Sequence, residues 1–402
     1  MKKRIIKLLC LILAMLLLVP SIISCSEADV DRDDDDDRKK TETKDRSDSK
    51  LKNTEITVGL SAPLTGPAAI YGMAVKNAAE MAVSEINDAG GINGIKLKLI
   101  SQDDGNDHSK VGTNFATLVE QGMQISLGCA TTMPCLEFAH YAKENDMFLL
   151  TPTATSDNIA NGTYAYQMSV NDSAQGKLAA EYVNSLGVSE IGIFYKADDP
   201  YSTGIYERFR NELDSNISVV EASFVAETDY FETQIETLKN CKLIFMPIYY
   251  SPANAFIRQA AHKMSSDTCF FGCDGFDGID AAFDLSDIPQ KISMLSPFDT
   301  NATEGKAGAF VKKYTSMYGN DAIGFAANAY DSVWAIYYAL TAAANEGVKF
   351  SAKTSPSDFC DILTAQFKKL TFSGATGNNI TWNNDGTVSK APIVKIIKNA
   401  NG

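Results

Sequence analysis

Short apolar stretches rich in β-branched residues alternate along most of the chain with segments whose apolar residues recur every three or four positions. The first kind is typical of a buried strand and the second of a helix with one apolar face. Predicted strands cover residues 56–60, 95–101, 125–127 and 147–150, and predicted helices cover 75–86, 111–119 and 134–145. This alternation predicts a parallel sheet with helices on both faces.

A second alternation of the same kind follows residue 171. Its predicted helices are 174–185, 202–213, 231–240 and 252–264, and its predicted strands are 191–195, 219–224, 243–247, 269–272 and 292–295. Two more helices, 304–318 and 322–344, precede a β-rich tail with strands 380–382 and 393–397. The chain is therefore predicted to be an α/β protein with two doubly wound parallel-sheet units. Ligands in such folds bind beyond the carboxyl ends of the strands, so two facing units would form a binding cleft.

The N-terminus has the pattern of a secretory signal. Four basic residues fall within the first seven positions, and an apolar run over 8–19 follows, which is shorter than the roughly 20 residues that span a bilayer. Residues 21–25, Ser-Ile-Ile-Ser-Cys, look like the lipobox of bacterial lipoproteins. This resemblance implies cleavage before Cys25, lipidation of its thiol, and an extracytoplasmic protein anchored to a bacterial membrane. The alternatives are an ordinary signal peptide with an incidental cysteine, or an uncleaved anchor.

The segment after Cys25 has a composition that cannot form a core. It contains five consecutive aspartates at 33–37, followed by basic and hydroxyl residues up to position 53. We interpret 1–24 as the signal peptide and 25–53 as a lipidated, solvated tether. Calcium binding by the aspartates is the alternative, although calcium sites need ligands fixed in a defined geometry.

Charge and cysteine usage exclude several classes of function. The chain has 36 Lys and Arg against 50 Asp and Glu, a net charge of −14, which argues against nucleic-acid binding. Its three histidines and its cysteine spacings match no metal motif. No cofactor and no metal are predicted.

An ordered series of short motifs runs through the whole body from residue 55 onward. It begins with PLTGP at 63–67, Tyr71-Gly72, EINDAGGING at 85–94 and Asp103-Asp104. It continues through 128–132, 151–155, 199–201, 249–252, 272–275, Phe325 and 330–331. The ordered set resembles the branched-chain amino acid binding proteins, which are type I periplasmic binding proteins of ABC importers.

This resemblance implies two lobes joined by a three-strand hinge. The first lobe would comprise 54–171 and 300–374, and the second 172–299 and 375–402. The crossovers would fall near 170–173, 297–301 and 373–376.

The resemblance also implies how the polar groups of an amino acid are held. The hydroxyl of Thr132 would hold the ligand carboxylate, and Thr155 would assist with its hydroxyl and Thr153 with its backbone carbonyl. Thr132 follows a predicted strand and precedes Pro134, so it would lie at a helix N-terminus, where the dipole favours an anion. Asp274 ends an apolar strand and would pair with the ligand ammonium. The alternatives are a helix cap for Thr132 and a turn or cap residue for Asp274.

Four aromatic residues fall on the family's cleft positions. By resemblance, Tyr71 would cover the ligand from the first lobe, Tyr201 and Tyr250 from the second, and Phe325 from a later helix. Tyr249 is the alternative to Tyr250 at this cleft position. Because neighbours on a strand face opposite ways, only one of the two is expected to line the cleft.

The function that follows from the resemblance is capture of an amino acid with an aliphatic or other hydrophobic side chain for delivery to an ABC importer. The expected partners are this small molecule and the permease subunits, with the membrane contacted only through the lipid. The protein is expected to be a monomer and not to bind nucleic acid. A sensor of the same fold for amides or other small solutes is the alternative.

A hydrolase is the rival from another class. Cys129, Ser61 or Thr132 would serve as the nucleophile, with His108 or His140 as the base. The sequence has no G-x-S-x-G elbow, no Walker loop and no dinucleotide fingerprint after a strand. We therefore predict that the protein is not an enzyme.

Overall fold

A computed structural model describes residues 55–400; the predicted signal peptide, Cys25 and the tether lie outside them. The strands are β1 (Glu55–Ala62), β2 (Lys96–Asp103), β3 (Ile125–Gly128), β4 (Leu149–Thr151), β5 (Ala165–Gln167), β6 (Glu190–Lys196), β7 (Ser218–Phe224), β8 (Leu243–Met246), β9 (Cys269–Gly272), β10 (Lys291–Ser296), β11 (Thr381–Trp382), β12 (Val388–Ser389) and β13 (Ile393–Lys398). They form two parallel-sheet lobes, which confirms the predicted α/β class.

The helices lie between these strands. They are α1 (Ala69–Asp88), α2 (Val111–Glu120), α3 (Thr132–Glu144), α4 (Asp172–Ser185), α5 (Pro200–Glu212), α6 (Glu232–Leu238), α7 (Tyr250–Ala260), α8 (Ile279–Ala282), α9 (Gly305–Tyr318), α10 (Gly324–Asn345) and α11 (Pro356–Phe367). Two 3-10 turns cover His108–Lys110 and Asp274–Phe276. None of the helices in residues 55–400 has the length and apolar character that crossing a membrane requires.

The first lobe is built on the sheet β2-β1-β3-β4-β5, in which all strands are parallel. Seven of the eight β1 residues are buried, as expected for a strand covered on both faces. Helix α10 packs along α1, and α11 packs on α10. Gly72 allows α1 to begin close to the loop after β1, because a Cβ there would lie 2.0 Å from the carbonyl oxygen of Pro63.

The second lobe is built on the sheet β13-β10-β9-β8-β6-β7. Its strands are parallel except for β13, which runs antiparallel to β10 at the edge. Helices α4 and α5 pack together, and α6 contacts β7. The phenylalanines Phe194, Phe231 and Phe256 form one side of its core, with the Phe194 and Phe256 rings stacked 4.3 Å apart.

The chain passes three times between the two sheets, as the resemblance implied. It leaves the first sheet after β5, returns after β10, and joins the second sheet again as β13. The last passage differs in position from the predicted 373–376. The indole Nε1 of Trp382 donates to the carbonyl oxygen of Gln167 at 2.8 Å, so the hairpin β11–β12 lies against the first lobe. The chain enters the second sheet only at Ile393.

Four strands and helices were not predicted: β5, α8, β12 and α11, of which α8 and β12 have only four and two residues. Strand β5 has only three residues and therefore no measurable periodicity. Helix α11 was missed although its signals are present, because Ser355 caps its N-terminus and Phe359, Leu363 and Phe367 recur four residues apart.

Candidate functional site

The hydroxyl residues predicted in the first lobe come together where β3 and β4 end. The backbone N–H of Thr155 lies 3.5 Å from the hydroxyl oxygen of Thr132, and the Thr153 hydroxyl donates to the carbonyl oxygen of Ala130 at 2.6 Å. All three threonines are buried. Thr132 is the first residue of α3, whereas Thr131 occupies the N-cap position without capping through its side chain. The Thr132 hydroxyl is therefore not a helix cap and lies at the positive end of α3.

Asp172 is a buried carboxyl group that sequence reasoning missed. Its backbone N–H donates to the carbonyl oxygen of Thr155 at 2.9 Å, which places it beside the threonines. Its side chain is buried, and its Oδ1 accepts no hydrogen bond. Burial raises the pKa of Asp172 well above its usual range, and the nearby Asp274 raises it further. In the sequence it looks like an ordinary acidic residue in the first turn of a helix, so no local signal identified it.

Asp274 follows β9 and opens a 3-10 turn, as its position at a strand end predicted. It is 4% exposed, and its Oδ1 accepts a hydrogen bond from the Tyr201 hydroxyl at 2.8 Å. Its backbone N–H donates to Oε1 of Gln175 at 3.3 Å. Burial raises the pKa of Asp274 to about 7. The side chain is thus oriented by its neighbours but only weakly stabilised as an anion.

The four predicted aromatic residues are joined by ring contacts, and two of them, Tyr71 and Tyr250, line a cavity. Tyr71 of α1 stacks on Phe325 of α10, with ring centroids 4.1 Å apart, and meets the edge of Tyr250 at 4.9 Å. Tyr201 stacks on Tyr249 at 4.6 Å with an interplanar angle of 6°. The rings form apolar walls whose hydroxyl groups take part in hydrogen bonds.

Tyr249 and Tyr250 do not alternate as strand neighbours, so the expectation that only one faces the cleft was wrong. Strand β8 ends at Met246, and the two tyrosines lie at the start of α7. The Tyr249 hydroxyl accepts a hydrogen bond from the backbone N–H of Thr132 at 3.4 Å. Tyr249 is therefore a second aromatic residue of the cleft, which the strand interpretation had set aside.

Hydrogen bonds cross the cleft between the lobes. The hydroxyl of Tyr71 donates to the carbonyl oxygen of Gly275 at 2.5 Å and accepts from the backbone N–H of Tyr250 at 3.2 Å. The Tyr250 hydroxyl donates to the carbonyl oxygen of Pro67. These bonds hold the two lobes in contact around the aromatic residues.

A cavity of about 640 Å³ opens outward from the tyrosines toward the solvent. Its inner end is formed by Tyr71, Tyr249 and Tyr250, and its outer part is lined by charged residues of the second lobe. This volume lies within the range of small-molecule binding sites.

Comparison with known proteins agrees with this architecture. A profile of the periplasmic binding protein family matches residues 55–400. The chain belongs to this family. Its fold is that of a type I periplasmic binding protein, and members of the family are substrate-binding proteins rather than enzymes.

Relatives of this periplasmic binding protein include several amino acid binding proteins. It is 27% identical to the Leu/Ile/Val-binding protein BraC3 of Rhizobium johnstonii over 335 residues, which cover 82% of this chain and 90% of that protein. It is 23% identical to the leucine-, isoleucine-, valine-, threonine- and alanine-binding protein of Pseudomonas aeruginosa, over 80% of this chain and 84% of that one.

A solved structure supports the same assignment. The branched-chain amino acid transporter substrate binding protein LivJ of Streptococcus pneumoniae, crystallised with isoleucine, is 26% identical. It superposes on this periplasmic binding protein with a TM-score of 0.73 over 86% of this chain and 99% of its own.

Three of the residues considered for hydrolysis have other surroundings in this periplasmic binding protein. Ser61 donates to Oδ2 of Asp104 at 3.0 Å, and His140 lies 3.4 Å from the carboxylate of Glu144 on the surface. Burial raises the pKa of the Cys129 thiol well above its usual range, which disfavours the nucleophilic thiolate. Within residues 55–400 no cluster of side chains suits a metal ion, and all six cysteines are free thiols.

Proposed function

We propose that this protein captures an α-amino acid, with an aliphatic or other hydrophobic side chain, between its two lobes and delivers it to an ABC importer. As a periplasmic binding protein it acts outside the cytoplasm. The observation that carries the proposal is the pair of buried carboxyl groups, Asp172 and Asp274, of which Asp172 lies beside the buried threonines of the first lobe.

The two carboxyl groups form a receptor for an ammonium group. The neighbours whose charges act most strongly on the pKa values of Asp172 and Asp274 are other aspartates, not a lysine or an arginine. A buried carboxylate without a counter-charge is costly, and a ligand ammonium would supply that charge. Oδ1 of Asp172 also has an unfilled acceptor position.

The first lobe offers a complementary receptor for a carboxylate. The amino end of α3 carries the positive end of the helix dipole, and the hydroxyls of Thr132 and Thr155 are near it. The backbone carbonyl of Thr153 remains the proposed additional acceptor for the ammonium. A ligand with both charges on one carbon fits between the two lobes.

The ligand side chain would lie against the rings of Tyr71, Tyr201, Tyr250 and Phe325. Apolar contact with these rings suits the side chains of leucine, isoleucine and valine. The names of the relatives, which bind these amino acids, support this choice.

Calorimetry with the purified protein tests the proposal directly. We expect leucine, isoleucine or valine to bind, and a ligand at one hundred times its dissociation constant to raise the free energy of unfolding by about 2.7 kcal/mol. Asp274→Asn should cost about 2–5 kcal/mol of binding free energy, because it removes one partner of a buried charge pair. Thr132→Val should cost less, because the backbone of α3 still holds the carboxylate.

Asp267→Asn is the matched control, because Asp267 is an exposed carboxylate of the second lobe outside the cleft. It should bind as the wild type does. Binding of amides in place of amino acids, or unchanged affinity in a folded Asp274→Asn variant, would contradict the proposed ammonium site.

We also propose that Cys25 carries a lipid and that the segment 25–53 tethers the body to the membrane. Permease subunits would then dock on a monomer held at the membrane surface. The lipobox-like residues before Cys25 and the acidic composition of 25–53 support this part of the proposal.

A further inference from the structure

The cavity that opens from the tyrosines has a charged outer part, which we call the outer chamber. It is lined by Lys196, Asp198, Asp199, Glu227 and Asp229. All of these belong to the second lobe, which also carries the two carboxyl groups of the proposed ammonium site. The first lobe adds His108 to the cavity lining, so the wall has four carboxyl groups against one lysine and one histidine.

The lysine of the outer chamber already has partners. Nζ of Lys196 lies 2.7 Å from Oε1 of Glu227 and 3.9 Å from Oδ1 of Asp198. Both of these carboxylates lie toward the solvent, where water also stabilises their charge. The charge of Lys196 also acts on the deeper Asp199, so this single lysine is shared among three carboxylates.

Asp199 is the deepest of these carboxyl groups and is incompletely satisfied. It is only 7% exposed. One oxygen, Oδ1, caps α5 by accepting the backbone N–H of Tyr201 at 3.2 Å. Among the described residues no donor bonds to its second oxygen, Oδ2. Burial raises the pKa of this carboxyl group to about 6, although the hydrogen bond from Tyr201 and the charge of Lys196 act in the opposite direction.

Asp199 is close enough to the proposed amino acid site to act on the same ligand. It lines the same cavity as Tyr249, and its charge raises the pKa of both Tyr249 and Asp172. Tyr249 lines the chamber and also accepts the backbone N–H of Thr132. The ring of Tyr249 thus separates the proposed carboxylate receptor from the outer chamber.

We propose that the cleft also accepts an α-amino acid whose long side chain ends in a cation, such as lysine, ornithine or arginine. This rests on the proposed function, because the amino acid head group would occupy the site described above. The methylene chain would pass along the ring of Tyr249, and the terminal ammonium or guanidinium would pair with Asp199. Aromatic rings make favourable contacts with the methylene groups and with the cationic end of such a side chain.

The sharpest test compares lysine with norleucine, which has the same carbon chain without the terminal ammonium. Calorimetry on the purified protein should give at least tenfold tighter binding of lysine than of norleucine. In the Asp199→Asn variant, the ratio of lysine affinity to norleucine affinity should fall about tenfold. Asparagine is also a good N-cap residue, so α5 should remain capped and the variant should fold.

Asp267→Asn serves as the control of equal charge change, and its lysine-to-norleucine ratio should equal that of the wild type. Tighter binding of norleucine than of lysine would overturn the inference while leaving amino acid capture intact. An unchanged ratio of lysine affinity to norleucine affinity in a folded Asp199→Asn variant would also overturn the inference. If none of leucine, norleucine and lysine binds, the proposed function fails together with the inference.

Discussion

The hydroxyl of Tyr71 donates a hydrogen bond to the backbone carbonyl oxygen of Gly275, 2.5 Å away on the other side of the cleft. Tyr71 belongs to the first lobe, and Gly275 follows Asp274 in the second. The backbone N–H of Gly275 donates in turn to the Tyr201 hydroxyl at 2.7 Å, and this hydroxyl donates to Asp274. Contact between the lobes is therefore linked to the position of the proposed ammonium receptor.

Removing the Tyr71 hydroxyl should weaken ligand binding by loosening the closed lobes. Tyr71→Phe keeps the ring that stacks on Phe325 and removes two hydrogen bonds between the lobes, to Gly275 and from Tyr250, each worth about 0.5–1.5 kcal/mol. We therefore expect roughly five- to hundredfold lower affinity by calorimetry. The matched control is Tyr318→Phe, which removes a hydrogen bond to the carbonyl oxygen of Asn77 within the first lobe. Equal affinity losses in both variants would contradict a role for the bond across the cleft.

Amino acid binding should release a proton at mildly acidic pH. Burial raises the pKa of Asp274 to about 7, so below that pH the carboxyl group is mostly protonated and must ionise to pair with an ammonium. The ligand ammonium itself stays protonated in this range. Affinity should therefore rise as the pH increases from about 5.5 to about 7, by up to about tenfold per pH unit.

Calorimetry in buffers of different ionisation enthalpy measures the released proton. The neighbouring carboxyl groups Asp172 and Asp277 also have raised pKa values and act in the same direction. Asp274→Asn should therefore reduce the proton release without abolishing it. Proton uptake on binding, or affinity independent of pH, would show that Asp274 is ionised before the ligand arrives.

The buried group of Asp331 and Lys390 should stabilise the segments that lead to the last crossover. Asp331 accepts the backbone N–H groups of Ala375 and Thr376 at 2.8 and 2.7 Å. Nζ of Lys390 donates to the Thr376 hydroxyl at 2.9 Å, and burial lowers the pKa of Lys390 to about 7. Asp331→Ala should cost about 3–5 kcal/mol in urea denaturation, because it leaves these donors buried without their acceptor.

A double variant separates this network from simple loss of packing. Asp331→Ala combined with Lys390→Met should cost less than the sum of the two single variants, since both side chains bond to the Thr376 hydroxyl and the charge of Asp331 stabilises the protonated Lys390. Glu181→Ala, at an exposed pair with Lys177, should change stability by less than about 1 kcal/mol. If the losses of unfolding free energy in Asp331→Ala and Lys390→Met simply add in the double variant, the two residues are not coupled.

Lipidation at Cys25 is checked by mass spectrometry of membrane fractions. We expect an acylated peptide that begins at Cys25, and several acyl chains on one residue give stable anchoring. In Cys25→Ser this peptide should disappear from the membrane fraction. A soluble product cut at another residue, or an intact segment 1–24, would contradict the prediction.

The sequence predicted the two-lobed α/β class, and it predicted that Thr132 and Asp274 follow strands. Thr132 and Asp274 could be located in this way because each follows an apolar strand, and strand ends are visible as local pattern. Tyr249 was assigned incorrectly because strand alternation was applied beyond the predicted strand end at 247, whereas β8 ends at Met246 and α7 begins at Tyr250, two residues before the predicted helix start at 252. That error turned a helix start into a strand and reversed the expected direction of a side chain.

By itself, the sequence determined which segments form strands and helices, because periodicity reflects neighbours only a few residues apart. The partnership of Asp172 with Asp274 was decided by tertiary structure alone. These residues lie far apart in the chain, and they meet because the crossover after β5 brings the start of α4 to the end of β9. The same holds for Asp199, which looks like a helix cap in the sequence. Its burial depends on every surrounding element and raises the pKa of the carboxyl group to about 6, which the sequence alone does not reveal.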